Sequence, residues 1–359
     1  MDGIKIPRKD IISLSISKNV SGLPINGVAK SQLNAVFKFE KFTPSACAPV
    51  IIYVDGAQKY QKFYIYTRKI KNELVTISCV DKMIFLSQMF DYSALTADKN
   101  GDVTASSVVQ QIGAQCQFTN VGGYPSDLLN KIPLDHVSGT DCENILSELS
   151  QVYCGVWYSE TDGASETLRF NRFGAVTEAV YIDNVNHSDV EIGAAKGPIS
   201  RIIATNGSDT FDTFGSDDFT KILRLSGKYF TDRITKSVLQ AVKGALYTGF
   251  TIESTDATTD AHICCGVYCG EVQYIATKIA VNITAGGIIT GFSAADLNEP
   301  EWDYTGALNR KLKEKVGYNV PSAGTSITRT EGIKIDSDYA VITAADGKMS
   351  FYKKTGGTS

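Results

Sequence analysis

Hydrophobic and polar residues alternate along the first 90 residues in the pattern of antiparallel β-strands. Five runs have this pattern, at residues 12–17, 33–42, 50–54, 61–68 and 73–80. The cluster SGLPING at residues 21–27 predicts a turn between the first two runs. In the last run Val75, Ile77 and Cys79 lie on one face of a strand. Five or six strands in about 90 residues predict a small barrel or sandwich.

The hydrophobic period changes to that of α-helices in the next part of the chain. Residues 103–116 carry apolar residues four apart, and Thr104 is the expected N-cap. A second helix is predicted within residues 138–155, where Thr140 stands three residues before Glu143 as in a capping box. Two strands follow, at residues 155–160 and 166–173. Two helices against a short sheet predict a small α/β domain.

The third part of the chain returns to strands. Six are predicted, at residues 200–205, 221–225, 245–253, 262–270, 272–284 and 288–293. A polar loop is predicted at 206–218, and a helix at 231–244. Beyond these, residues 304–316 predict a helix with Leu308 and Leu312 on one stripe, and 339–344 predict one further strand.

Residues 81–93 (DKMIFLSQMFDYS) stand at the seam between the strand-rich part and the helix-rich part. This seam is one of four positions that carry a family resemblance; the others are the capped helix at 140–154, the helix at 231–244 and the glycine hairpin that leads into 288–293. Together they resemble the baseplate hub proteins of contractile phage tails and phage-tail-like bacteriocins, which include the late control protein D group. The similarity covers about residues 1–317, as an order of elements without a catalytic signature.

The resemblance implies an α+β, mainly β fold with two tail-tube-like β-barrels, a small α/β insertion between them and a C-terminal helical extension. The corresponding domains are residues 1–90, 91–175, 176–300 and 301–359. Family knowledge further implies a homotrimer whose six barrels match the hexameric tail tube and adapt it to a central trimeric spike. The chain would then be a structural protein of a contractile injection particle, and not an enzyme.

The partners implied by the resemblance are the tail tube protein, the central spike protein and other baseplate proteins. A phage tail and a DNA-free bacteriocin, or tailocin, fit the sequence equally. The protein would be made in the bacterial cytoplasm and assembled into the baseplate. The interface residues expected from this interpretation are Phe85, Met89, Phe90 and Tyr92 at the seam and Leu308 and Leu312 on the late helix.

The composition of the chain limits the classes of function that it can have. The chain has 359 residues, of which 43% are hydrophobic, so it can bury more than one core. Its net charge of -4 provides no general attraction to nucleic acid or anionic lipid, and no sequence-specific nucleic-acid contact is expected. The N-terminus is polar, and no apolar run approaches the about 20 residues that cross a bilayer, so no stable membrane anchor is expected.

Two clusters have the residue types of metal sites. The first combines His262 with three nearby cysteines, Cys264, Cys265 and Cys269. Since no CxxC pair exists, we interpret these cysteines, and the other five in the chain, as small buried residues, and we expect no cofactor. The second has four aspartates, Asp209, Asp212, Asp217 and Asp218. Their spacing differs from the EF-hand pattern, which favours a solvated or interface loop.

Other chemistry has weaker support. The basic side of the late helix, formed by Arg310, Lys311, Lys313 and Lys315, is interpreted as a solvated face, with contact to an acidic partner or to DNA as the alternatives. Three histidines (His136, His187 and His262) stand apart, and no local catalytic motif is present. A peptidoglycan-degrading enzyme remains one alternative function, because a carboxylate pair is formed by the fold. A carbohydrate-binding receptor at the tail tip is another, although Trp157 and Trp302 are the only tryptophans.

Overall fold

A computed structural model describes most of the chain. It covers residues 5–20, 27–38, 45–54, 57–58, 61–163, 165–172, 179–182, 187–192, 199–215, 221–242, 250–255, 263–264, 266–269, 272–284, 287–294, 333–334, 339–343 and 349–353. The chain forms two compact units, Met1–Asp303 and Tyr304–Ser359. The predicted helix at 304–316, with Leu308 and Leu312, lies outside the described residues.

The described elements are mainly β-strands, as the alternation predicts. The first unit contains β1 (Ile11–Asn19), β2 (Lys30–Lys38), β3 (Pro49–Val50), β4 (Tyr53–Val54), β5 (Ala57–Gln58), β6 (Phe63–Lys71), β7 (Leu74–Val80), β8 (Asp102–Thr104), β9 (Asn120–Gly122), β10 (Lys131–Pro133), β11 (Gly155–Asp162), β12 (Ser165–Arg172), β13 (Ala179–Ile182), β14 (His187–Ile192), β15 (Ile199–Thr205), β16 (Thr210–Phe214), β17 (Lys221–Ser226), β18 (Phe250–Ser254), β19 (Gly266–Cys269), β20 (Val272–Ile275), β21 (Lys278–Thr284) and β22 (Gly287–Ala294). Its helices are α1 (Ala105–Gln115), α2 (Leu134–Val137), α3 (Cys142–Tyr153), α4 (Asp232–Val242) and two 3₁₀-helices, Arg8–Asp10 and Lys82–Ser87. The second unit contains an antiparallel sheet of β23 (Ile333–Lys334), β24 (Tyr339–Thr343) and β25 (Met349–Lys353), which confirms the strand predicted at 339–344.

The centre of the first unit is an open nine-stranded sheet with the order β14-β18-β22-β21-β1-β2-β7-β6-β3. Every pair of neighbours is antiparallel. The sheet has two halves, with β1, β2, β6 and β7 in the first and β14, β18, β21 and β22 in the second. The halves repeat one strand order, because the first reads β6-β7-β2-β1 across the sheet and the second then reads β21-β22-β18-β14. In each half the third strand is followed by the fourth, the second and the first. The halves meet where β1 pairs with β21, with Ile16 opposite Val281. The described strands form no closed barrel.

One hydrophobic core lies under both halves of this sheet. It contains Ile16, Leu33 and Ile77 from the first half and Ile252 and Phe292 from the second, and each is no more than 3% exposed. Because these residues share one core, the N-terminal strands and the strands after residue 250 form a single packed layer. The smaller sheet β13-β19-β20 contributes Val267 to the same core.

A second core holds the elements between the two halves. It packs α1 and α3 against Trp157 of β11, and it includes residues of β15, β17 and α4. Thr104 caps α1 as predicted, because its Oγ1 accepts a hydrogen bond from the backbone N–H of Ser107 at 3.0 Å. The helix predicted at 231–244 is present as α4, in which Ile234 and Val238 are buried.

Three local predictions are wrong. The loop predicted at 206–218 contains β16, which pairs with β15 and exposes Thr210, Asp212 and Phe214 while Thr213 is buried. The strand predicted at 272–284 breaks at residues 276–277, so that β20 and β21 join different sheets. The N-cap of α3 is Asp141, which accepts from the N–H of Asn144 at 2.8 Å, and the predicted capping-box residue Glu143 pairs instead with Lys30 at 2.7 Å.

The shared core generates a stability prediction. Ile16→Ala removes a side chain that is 1% exposed between Leu33 and Val281, and we expect a loss of about 2–5 kcal/mol in the free energy of unfolding. Ser15→Ala, on the opposite face of β1, should cost less than about 1 kcal/mol. Urea unfolding followed by tryptophan fluorescence and circular dichroism measures both. Two separate transitions, with only one moved by Ile16→Ala, would show that the halves do not share a core.

Candidate assembly surface

The seam after β7 begins at a buried carboxylate. Asp81 is 1% exposed and is the N-cap of the 3₁₀-helix Lys82–Ser87. Its Oδ1 accepts from the backbone N–H of Met83 at 3.2 Å, and its Oδ2 accepts from the N–H of Ser31 at 2.9 Å. The N–H of Asp81 in turn donates to the carbonyl of Ser31 at 3.0 Å. One residue therefore starts the seam and fixes it to β2.

Burial dominates the electrostatics of Asp81. Loss of water raises the pKa of this carboxyl to about 7, although the hydrogen bonds from Ser31 and Met83 and the nearby charge of Lys18 lower it. The folded protein therefore holds a proton on Asp81 at pH values where an unfolded chain has released it. The seam has a protonation equilibrium close to neutral pH.

The seam is also held from the helical side. The side chain of Gln115, at the end of α1, donates from Nε2 to the carbonyl of Met89 at 2.7 Å and accepts on Oε1 from the N–H of Asp91 at 2.9 Å. The N–H of Cys142 donates to the carbonyl of Gln88 at 3.0 Å. Because these bonds hold backbone atoms, the segment presents its side chains in fixed positions.

The four interface residues predicted at the seam divide between the surface and the core. Phe85, Met89 and Tyr92 are 39%, 59% and 41% exposed, whereas Phe90 is 4% exposed and packs with Met83 and Leu86 in the second core. Phe85 also lines a groove of about 350 Å³ beside β6, together with Cys47, Tyr64, Ile65, Tyr66, Val80, Ile84, Ser87 and Gln88. We call the exposed set Phe85, Met89 and Tyr92 the seam surface.

A buried charge cluster joins the first half of the sheet to the inserted elements. The side chain of Glu166, 6% exposed, lies 3.1 Å from Lys82 Nζ and 3.4 Å from Lys62 Nζ. Tyr64 donates its hydroxyl to the same carboxylate at 2.8 Å, and Lys82 also donates to the carbonyl of Gln117 at 2.5 Å. Burial and the neighbouring Glu166 raise the pKa of the Tyr64 phenol above its ordinary value, so it remains a donor. Together they hold β6, the seam and β12 in one arrangement.

The open sheet ends in two edges. On β6, residues up to Ile65 bond to the segment 47–50, but among the described residues no strand pairs with the outer edge from Tyr66 to Lys71. At the other end, β14 pairs only with β18 within the described part of the chain. Unpaired edges are templates for another strand, so both are candidate contact sites.

The hairpin β6–β7 determines which backbone groups point outward on β6. Its two-residue turn has positive φ at Asn72 (51°) and Glu73 (65°), so Lys71 and Leu74 form the closing hydrogen-bonded pair. Hydrogen-bonded and non-bonded pairs then alternate along the strands. The N–H and C=O groups of Arg68 and Ile70 therefore point away from β7, towards the free edge.

The other predicted chemical groups are placed as follows. Cys264 is 3% exposed, Cys269 belongs to β19, and His262 and Cys265 lie outside the described residues. Asp212 accepts a bidentate pair of bonds from Arg201 at 2.8 and 2.5 Å, Asp209 is exposed, and Asp217 and Asp218 lie outside the described residues. The late-helix cations Arg310, Lys311, Lys313 and Lys315 also lie outside them.

Within the described part of the chain, no group of three or more His, Cys, Asp or Glu residues has the arrangement of a metal site. Trp157 is fully buried in the second core, and Trp302 lies outside the described residues. No described helix combines the length and hydropathy of a membrane span. The sequence interpretation predicted β6 as the strand at 61–68 but not its unpaired outer edge, and it missed β14. The sequence signal for the free edge was the run Tyr66–Lys71, which continues the strand pattern and has cations on both faces, as edge strands often do.

The buried charge cluster generates a prediction about stability. Glu166→Gln leaves Lys82 buried without a carboxylate, so we expect the free energy of unfolding to fall by about 3 kcal/mol. Glu160→Gln is the matched control, because Glu160 pairs with Arg169 at a partly exposed site and should cost less than about 1 kcal/mol. Urea denaturation of the three proteins measures the difference. Equal costs for the two variants would contradict a special role of Glu166.

The raised pKa of Asp81 generates a prediction about pH. Its protonated form is favoured in the folded state, so its stabilising contribution is complete below the unfolded pKa of 3.8 and is lost as pH rises to about 7. Over this window the wild type should lose up to about 1.4 kcal/mol per pH unit relative to Asp81→Asn, which cannot ionise. Urea midpoints between pH 4 and pH 8 test this. Parallel pH profiles for the two proteins would refute it.

Comparison with known proteins shows similarity only at the level of structure. No protein-family model matches the sequence, and no curated protein matches it. A tail protein from Neisseria meningitidis MC58 superimposes with a TM-score of 0.51 at 10% identity, over 80% of this chain and 93% of that one. Prophage tail protein gp18 from Listeria monocytogenes EGD-e superimposes with a TM-score of 0.50 at 13% identity, over 81% and 90%. The chain therefore shares the fold of these tail proteins.

Proposed function

We propose that this chain is the baseplate hub of a contractile tail, a structural protein of which three copies form a ring between the tail tube and a central spike. The observation that carries the proposal is the repeated strand order in the nine-stranded sheet. The fold shared with two solved tail proteins supports a role in a tail particle. A phage tail and a DNA-free bacteriocin remain equally compatible, with synthesis in the bacterial cytoplasm in either case.

The internal junction provides the template for contact between copies. Inside the chain, the first long strand of one half, β1, pairs with the third long strand of the other half, β21. Among the described residues, two outer edges are left unpaired: that of β14, the first strand of the second half, and that of β6, the third strand of the first half, from Tyr66 to Lys71. A neighbouring copy can therefore repeat the same type of junction by placing its β6 against β14. This is a head-to-tail contact of the kind that closes into rings.

Strand direction fits this contact. Seven antiparallel steps separate β14 from β6, so the two edge strands run in opposite directions. Copies related by a rotation axis would therefore continue the antiparallel alternation without reversing a subunit. Each half contributes four long strands, so three copies supply six similar sets, which is the number that a hexameric tube requires.

The two edges also have opposite charges. β6 contains Arg68 and Lys69, and β14 contains Asp189 and Glu191. Opposite charges across an antiparallel pair stabilise it, whereas two copies of the same edge would repel each other. Charge therefore favours a contact between β6 and β14 over a contact between the β6 strands of two copies.

The seam surface extends the contact beyond the edge. Its rigid backbone lowers the entropy cost of burying Phe85, Met89 and Tyr92, and Phe85 adjoins Tyr64 of β6 with 5.8 Å between ring centroids. Obligate assemblies bury more than about 2,000 Å², which requires side-chain contacts as well as edge pairing. We further propose that residues 304–316, predicted from the sequence to form a helix with Leu308 and Leu312 on one stripe, contact the spike, and that the tube and other baseplate proteins take the remaining contacts.

Removal of the backbone N–H donors that point outward from β6 tests whether three copies form a ring through this edge. Wild-type protein should have a light-scattering mass three times the chain mass of 38.9 kDa. Arg68→Pro/Ile70→Pro removes two N–H groups at the free edge and leaves the hydrogen-bonded pairs with β7 intact, so we expect a single-chain mass. Arg68→Lys/Ile70→Val keeps both donors and should remain trimeric.

A trimer that survives both proline substitutions would exclude β6 as the contact edge. A wild-type mass of one chain, two chains or any assembly other than three would contradict the hub interpretation. Far-ultraviolet circular dichroism of each variant shows whether a change of mass accompanies unfolding.

A further inference from the structure

We infer that one end of the first sheet half is a docking surface for an acidic protein, formed by the exposed cations Arg8, Lys9, Lys38 and Lys71. We call this set the basic rim. The inference concerns the chemistry of one partner, an acidic protein. It depends on the proposed ring only where it describes how three rims would lie together in one assembly. The rim itself belongs to a single chain.

The strand register brings these cations to the same end of the sheet. Lys38 and Lys71 flank Leu74 in one row across β2, β7 and β6, which places them two strand spacings, about 10 Å, apart. β1 starts beside this row, since Ile11 is opposite Phe37. The 3₁₀-helix Arg8–Asp10 immediately precedes β1. Residues distant in sequence therefore form one surface at the sheet end.

The rim is anchored at Arg8, and its three lysines are exposed. Arg8 donates from Nη2 to the carbonyl of Thr284 at 3.5 Å, which ties the N-terminal segment to the end of β21. Lys9, Lys38 and Lys71 are exposed, and no carboxylate among the described residues forms an ion pair with them. The acids within two residues of these cations in the sequence are Asp10, Glu40 and Glu73. Four cations against three acids leave this end with a small positive charge in a chain whose net charge is -4.

Exposed aliphatic residues favour a protein partner over a nucleic acid. Ile12 is 49% exposed at the start of β1, and Ile70 is 52% exposed next to Lys71. A protein surface can cover such side chains, and apolar residues surrounded by charges are the usual anatomy of a protein interface. A phosphate backbone offers contacts for the cations only, and the excess acids elsewhere in the chain would repel it.

The rim also distinguishes the two halves of the sheet. At the equivalent hairpin of the second half, β21 ends at Thr284 and β22 begins at Gly287, where the first half has Lys71 and Leu74. The backbone repeat would give a ring six similar hairpins, but the lysine at the hairpin occurs once per chain. The charge pattern of the ring would therefore be threefold and would match an acidic partner of threefold symmetry.

Binding of an acidic polypeptide tests the rim. The probe is fluorescein-labelled poly-L-glutamate, measured by fluorescence anisotropy at about 50 mM and about 300 mM salt. We expect wild-type protein to bind at the lower salt, and Lys38→Gln/Lys71→Gln to bind about tenfold more weakly. The control Lys99→Gln/Lys278→Gln removes the same charge from exposed positions outside the rim and should stay within about twofold of the wild type.

Three results would overturn the inference. The first is no binding by the wild type, or equal binding by the rim and control variants. The second is tighter binding of a random-sequence DNA duplex that depends on Lys38 and Lys71, because the partner would then be nucleic acid. The third is a trimer that dissociates in the rim variant, because the cations would then serve contacts between copies. Light scattering on the same samples separates the two proposals: a single-chain wild type that still binds poly-L-glutamate through the rim contradicts the ring alone.

Discussion

The pairing of β1 with β21 is the interaction on which the rest of the structure depends. It joins strands from opposite ends of the first unit, so forming the pair closes a long loop of the chain. Such non-local contacts carry a large loop-closure cost, which the apolar core under both halves has to offset. Once formed, the junction makes two similar four-stranded halves into one continuous sheet. Within the described part of the chain, it also leaves the outer edges of β14 and of residues 66–71 of β6 unpaired.

The elements between the halves are held by polar contacts as well as by their own core. Asp81 bonds the seam to β2, and Glu166 receives Lys62, Lys82 and Tyr64 in a nearly dry site. Desolvation makes such groups costly, so their net contribution to stability is modest, but each is satisfied only in one geometry. These contacts therefore specify orientation. They hold the seam rigid beside β6, where the exposed Phe85 and the free edge lie together.

An unpaired strand edge promotes aggregation unless something controls its partner. For the proposed pairing of β6 with β14, the controls would be direction and charge: the two strands run oppositely, one with Arg68 and Lys69, the other with Asp189 and Glu191. A ring of three copies would pair every edge and leave none free. The basic rim lies at the hairpin end of β6 and shares Lys71 with the free edge, so the proposed partner contact and the proposed contact between copies would lie next to each other.

Local patterns in the sequence determined which segments become strands and helices, because alternation and the 3.6-residue period act over a few neighbours; α1, α4 and most of the long strands follow from them. The position of the seam followed as well, since the period changes there. Only tertiary structure decided that β1 pairs with β21, that β16 forms within a polar loop and that the strand predicted at 272–284 divides between two sheets. It also directed Phe90 inward and Phe85 outward. These outcomes depend on partners far away in sequence, whose positions exist only after the core has packed.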